Sequence, residues 1–145
     1  MQGTDMVSSV AVKKSIVFIR RGSGILVFRH PQAGVQLPKG TVEFDETPAT
    51  AARREVFEEV GLALQGPLHA LGTWSCPTPP ALWHVFVAEA PVGTEEAWQH
   101  APTGGGDETG LVFDVFWIDV YDARDRLHPL FLPVLDMMQQ HVGSG

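Results

Sequence analysis

The stretch from Gly40 to Leu62 constrains this chain more than any other. Thr47 can cap a helix, and Pro48 suits a first turn, where a missing N–H costs nothing. Ala49, Ala51, Ala52, Arg53 and Arg54 favour a helix, and Gly61 suits its stop. The spacing predicts a helix from Pro48 to Val60, roughly 20 Å long at ~1.5 Å per residue. Glu55, Glu58 and Glu59 then stand at i, i+3 and i+4 and project from one face.

Such a face is costly. Like charges at this spacing repel by a few tenths of a kcal/mol per pair. They also lie toward the helix C-terminus, where the macrodipole disfavours anions. A divalent cation removes the penalty, and hard cations such as Mg²⁺ or Mn²⁺ prefer oxygen ligands. Arg54 suits a forked hydrogen bond that fixes one carboxylate. Ala51, Ala52, Val56 and Val60 form an apolar stripe that can bury against a sheet, and Glu46 lies just before the cap, within reach of the same site.

Gly40, then Glu46, then Arg54-Glu55-Val56, Glu58-Glu59 and Gly61-Leu62 resembles a complete Nudix box, with every signature position filled. The preceding Leu37-Pro38-Lys39 resembles the approach to that box. The resemblance implies an α/β/α sandwich around a mixed β-sheet. It also implies hydrolysis of a nucleoside diphosphate linked to a moiety X, with Mg²⁺ or Mn²⁺ as cofactor. By position, Glu55, Glu58, Glu59 and the Gly40 carbonyl would be metal ligands. Arg54 would orient a carboxylate, and Glu46 would play a supporting part behind the ligands. Family precedent also makes a homodimer the expectation.

Across its 145 residues the chain has a core large enough for one domain, expected over 10–141, with tails at 1–9 and 142–145. No apolar run approaches the ~20 residues of a membrane span, and the first residues lack the pattern of a signal peptide. One cysteine, Cys76, forbids an internal disulfide and fits a reducing compartment, so the expected location is cytoplasmic. A net charge of −7 argues against a nucleic-acid polymer as partner. It leaves room for a small nucleotide substrate held by metal and local cations.

Val10 to Arg20 and Ile25 to Phe28 read as a hairpin around Gly22-Ser23-Gly24. Lys13, Lys14, Arg20, Arg21 and Arg29 read as surface charges, and Lys39 as a candidate partner for a substrate phosphate. Leu68 to Trp74 and Leu82 to Ala90 read as paired strands, broken by the Cys76-to-Pro80 segment, whose prolines exclude it from a central ladder. Pro77 sits where some ADP-ribose hydrolases of the family carry a proline. Trp74 and Trp83 read as hairpin packing, with base stacking as the functional alternative. Pro91 to Gly110 reads as a long loop, of the kind that is functional or mobile. In the family such a loop often supplies a further ligand or the general base; Glu108 is the first choice, Asp107 the second and His100 a weaker one. Leu111 to Val120 reads as a strand with Phe113, Val115 and Trp117 on one face, and Pro129 to Gln140 as a closing helix.

Two functions from different classes follow. One is a metal-dependent pyrophosphohydrolase acting on ADP-ribose or another sugar nucleotide, a nucleoside triphosphate or a dinucleoside polyphosphate. Its proton acceptor would be Glu58, Glu55 or Glu108. The other is a catalytically silent Nudix-like nucleotide-binding or regulatory domain. Intact carboxylates favour the first.

Overall fold

The computed structural model describes residues 12–144. The expected N-terminal tail, and Val10 at the expected start of the first strand, lie outside the described residues. β1 (Lys13–Arg21) turns at Gly22, φ +62°, into β2 (Gly24–His30). β3 (Gly34–Gln36), β4 (Lys39–Thr41), α1 (Pro48–Val60), β5 (His69–Pro77) and β6 (Pro80–Glu89) follow. β7 (Ala97–His100), β8 (Phe113–Asp119) and α2 (Leu132–Ser144) complete the order, with short 3-10 turns at Gly106–Glu108, Ala123–Asp125 and Pro129–Phe131.

The strands make one eight-stranded mixed sheet in the order β5-β6-β1-β2-β8-β7, with β3 beside β2 and β4 beside β1. β1 and β6 run parallel from Lys13↔Leu82 to Arg20↔Glu89, and the other pairs are antiparallel. β1 pairs with β2 at Arg20 and Arg21, then with β4 from Lys14 to Ile16. This splay lets β4 enter between them and brings Lys39 and Gly40 to the end of the sheet nearest α1.

Period-two alternation sorts the apolar side chains onto two faces. Val17, Ile19, Leu26, Phe28, Phe86, Phe113 and Val115 meet Ala52, Val56 and Val60 of α1. Ile16, Phe18, Ile25, Val27, Trp83 and Val85 meet Phe131 and the α2 residues Val134, Leu135 and Met138. The result is the expected α/β/α sandwich. Among the described residues, no helix is long and apolar enough to cross a membrane.

Local details differ from the sequence expectation. β5 continues past Trp74 through Cys76, and Pro77 opposes Pro80 at the hairpin end. The sheet tolerates this, because Pro77 is on the edge strand β5 and Pro80 is the first residue of β6, ahead of its pairing with β1 at Leu82. β7 lies inside the segment read as loop; four residues with alternating exposure give too short a signal to detect. The closing helix begins at Leu132 rather than Pro129, with Pro133 in its first turn, where no N–H partner is required. The residues before it form a 3-10 turn in which His128 Nδ1 accepts from the Leu130 N–H at 3.1 Å. At the other end the helix continues to Ser144, beyond the expected end at Gln140 and into the expected tail.

Phe131 is 1% exposed and joins the turn before α2 to Trp83, ring centroids 5.9 Å apart. Phe131→Ala is expected to cost about 3–5 kcal/mol of unfolding free energy, measured by urea denaturation.

Candidate active site

α1 is fixed at both ends. Thr47 Oγ1 accepts from the Thr50 N–H at 3.1 Å, and Ser15 Oγ donates to the Pro48 carbonyl at 2.6 Å, tying the first turn to β1. Gly61, φ +80°, donates its N–H to the Phe57 carbonyl at 3.1 Å. With Ala51, Ala52, Val56 and Val60 buried, the polar side of the helix borders β4 and the Thr103–Glu108 segment.

Arg54 is the hub of that side. Its Nε and Nη2 donate to the two carboxylate oxygens of Glu46 at 2.7 and 2.9 Å, and Nη2 also donates to the Thr41 carbonyl at 2.9 Å. Nη1 donates to Glu55 at 2.8 Å and to Glu58 at 3.2 Å. The forked bond therefore goes to Glu46, while the two helix carboxylates share one nitrogen. Glu59 is 7% exposed and accepts the Lys39 backbone N–H at 2.9 Å.

These partners set the protonation behaviour. The Arg54 hydrogen bond holds the Glu46 carboxyl down at about 2. Burial pushes Glu55 upward, opposed in part by Arg54. Burial pushes Glu59 well above the usual carboxylate range, with the Lys39 N–H opposing it. The Lys39 ammonium is held below its ordinary range by burial, reinforced by neighbouring Lys14.

One cavity of about 480 Å³ collects these groups: Lys14, Lys39, Gly40, Thr41, Glu43, Arg54, Glu55, Glu58, Glu59 and Glu108. A second cavity of similar volume, beside Phe57, Leu62 and Trp98, has Glu95 as its one carboxylate and no clustered charge. Two glycines are required in the first. A Cβ on Gly40 would lie 1.9–2.3 Å from the Glu55 carboxylate, and one on Gly104 (φ +97°) would lie 2.7 Å from Glu58 Oε1. The donor set is all oxygen and suits a hard divalent cation, and the missing Cβ of Gly40 is the clearance that Glu55 occupies.

The carboxylates expected to converge from one helix face do line one cavity, but different partners hold them. Among the described residues, no three His, Cys, Asp or Glu side chains form a ready-made metal cage. Arg54 draws Glu46, Glu55 and Glu58 to itself, and the β4 backbone holds Glu59.

A family model, the NUDIX domain, matches residues 11–137. The chain belongs to the NUDIX family. A MutT-like protein of Streptomyces ambofaciens is 40% identical over 50 residues, which is 34% of this chain. The match spans 32%, about a third, of that relative's length. Two solved structures share the fold at low identity. A MutT from work on the Aliivibrio salmonicida and Vibrio cholerae proteins has a TM-score of 0.66 at 19% identity, covering 90% of this chain and 98% of that one. A MutT NUDIX hydrolase from Burkholderia pseudomallei has a TM-score of 0.66 at 21% identity, covering 88% and 97%.

Set in the NUDIX fold, the remaining sequence candidates separate. Glu108 lines the carboxylate cavity, whereas the Asp107 side chain lies outside the described residues. Trp83, offered as a stacking surface, is 2% exposed, with Trp74 edge-on at 4.9 Å and the Lys39 ammonium 5.5 Å from its ring centre. Its ring has no face open to a base, so packing is its role, and Trp74 is not among the residues lining the cavity. Lys14, read as a surface charge, instead donates to Thr41 Oγ1 at 2.7 Å on the cavity wall. The β1–β4 register puts it there, and no local sequence signal carries that information.

Lysine cannot reproduce the Arg54 fork. Arg54→Lys is expected to lower stability by about 1–3 kcal/mol. Glu46 adds a pH signature. Its folded pKa of about 2 lies below the ordinary 4.5, so its contribution is complete above about 4.5 and is lost as pH falls through about 2. Glu46→Gln should flatten that acid limb, measured by urea denaturation between pH 2 and pH 6.

Proposed function

We propose that this chain is a Nudix-type pyrophosphohydrolase that cleaves a phosphoanhydride bond in a nucleoside diphosphate derivative, with Mg²⁺ or Mn²⁺. The observation that carries the reading is the Arg54 network, which, itself anchored by Glu46, holds Glu55 and Glu58 beside Glu59 and Glu108 in one cavity with two lysines on its wall. A purely structural acidic helix has no use for this arrangement, since one guanidinium cannot neutralise so many carboxylates.

Glu55, Glu58, Glu59 and the Gly40 carbonyl would hold the cation. When bound, it would withdraw charge from the phosphate oxygens and lower the pKa of a coordinated water. Arg54 keeps Glu55 and Glu58 from swinging apart, so both carboxylates are oriented before substrate arrives. Water's oxygen forms the new P–O bond, the bridging P–O bond breaks, and a carboxylate accepts water's proton. Glu58, Glu55 and Glu108 are the candidates for that acceptor. Lys14 and Lys39 provide ammonium groups for phosphate oxygens, Lys39 having the lowered proton affinity of a partly desolvated cation.

Two ammonium groups on one wall favour substrates with more than two phosphates. Nucleoside triphosphates and dinucleoside polyphosphates therefore rank above ADP-ribose and other sugar nucleotides. The cytoplasmic assignment goes with this reading and rests on the lone cysteine and the nucleotide substrate class.

Turnover of a nucleotide panel with product identification tests the proposal. Glu58→Gln is expected to keep its melting temperature within a few degrees and to lose about 10²–10⁴-fold in Mg²⁺-dependent kcat. Wild-type rates in that variant, or no turnover of any panel member by the unmodified protein, would defeat the assignment and favour a silent nucleotide-binding domain.

A further inference from the structure

The last turn of α1 ends in carbonyls that lack helical partners, and the segment from β7 onward supplies donors to two of them. The Glu58 carbonyl accepts the Thr103 N–H at 2.9 Å and the His100 Nε2–H at 3.1 Å. The Val60 carbonyl accepts the Trp98 Nε1–H at 2.9 Å. Gly61 gives the imidazole its room: a Cβ there would lie 2.9 Å from His100 Nδ1. Just beyond, the Gly104 backbone lies against the Glu58 carboxylate, so closely that a Cβ would meet Oε1 at 2.7 Å. Two residues after that, the 3-10 turn Gly106–Glu108 begins, closed by the Thr109 N–H on the Gly106 carbonyl at 3.2 Å.

We propose that His100, Thr103 and Gly104 form a latch that joins the Glu108 turn to the last turn of α1 and sets where the Glu58 carboxylate points. His100 is then a positioning residue rather than a proton acceptor, because its Nε2–H is committed to a helix carbonyl, its Nδ1 faces Gly61, and it is not among the residues lining the carboxylate cavity. The latch acts in two ways. Its donors offset the partial negative charge of the helix C-terminus beneath Glu58 and Glu59, where the macrodipole opposes a carboxylate. Its backbone also limits the rotation of Glu58, since Gly104 fills the space on one side and Arg54 Nη1 holds it on the other. Gly61 acquires a part in this, as the residue that admits the imidazole. This inference rests on the reading of Glu58 and Glu108 as site carboxylates.

The test combines hydrogen–deuterium exchange over residues 101–110 with steady-state kinetics for wild type, His100→Ala, His100→Gln and Gly104→Ala. His100→Ala should exchange faster in that segment and lose about 10–100-fold in kcat, with KM changed by less than about threefold. His100→Gln has an amide N–H that can reach the same carbonyl, so it should recover most of both losses. Gly104→Ala, which displaces Glu58 directly, should match the kcat loss and weaken Mn²⁺ binding measured by electron paramagnetic resonance. Wild-type exchange in His100→Ala, or a glutamine variant as impaired as the alanine one in both readouts, would overturn the latch. Absence of turnover in wild type would sink the hydrolase reading instead, while the exchange comparison would still decide the latch.

Discussion

One guanidinium organises the polar side of this molecule. Arg54 bonds three carboxylates and a strand carbonyl at once, and these partners lie in three places in the chain: the loop before the helix, the helix itself and β4. Lysine, with a point charge and no plane, could not satisfy that geometry. The arginine therefore does more than balance charge. It ties the approach to α1, the helix face and the sheet end into one rigid corner, and the orientation of Glu55 and Glu58 follows.

Charge in that corner is graded by burial and partner. Glu46 has the fork and stays ionised far into acid, whereas Glu59, enclosed with a single backbone donor, has its proton affinity raised. Residues of one type within a single box thus carry different electrostatic properties. Lys39 shows the complementary effect, since burial and Lys14 both work against its charge. An anion brought to the lysine wall and a cation brought to the carboxylates would each relieve a cost already built into the fold.

Much of the site was legible because its signals are local. Thr47, Pro48 and Gly61 mark α1 at the residues where it begins and ends, and the spacing of Glu55, Glu58 and Glu59 places them on its polar side. Strand alternation likewise separated Phe113 and Val115 from Phe116 and Ile118. Other features depend on register and docking, which no window of sequence contains. Lys14 faces the cavity because β4 pairs with β1, and Trp83 is sealed because Phe131 and Lys39 cover it. β7 escaped notice because four residues carry too little periodicity, although Trp98 and His100 within it do much to anchor the end of α1.

The sheet separates two apolar cores, and this separation bears on how such a protein diverges. Residues behind the sheet, against α2, are not among those lining the carboxylate cavity, so that half can exchange one well-packed set of side chains for another with little effect on it. The half under α1 has no such freedom, because a shift of Val56 or Val60 displaces the charged corner itself. Evolutionary drift should therefore be lopsided, with a rapidly rewritten rear layer carried by a slowly changing front one.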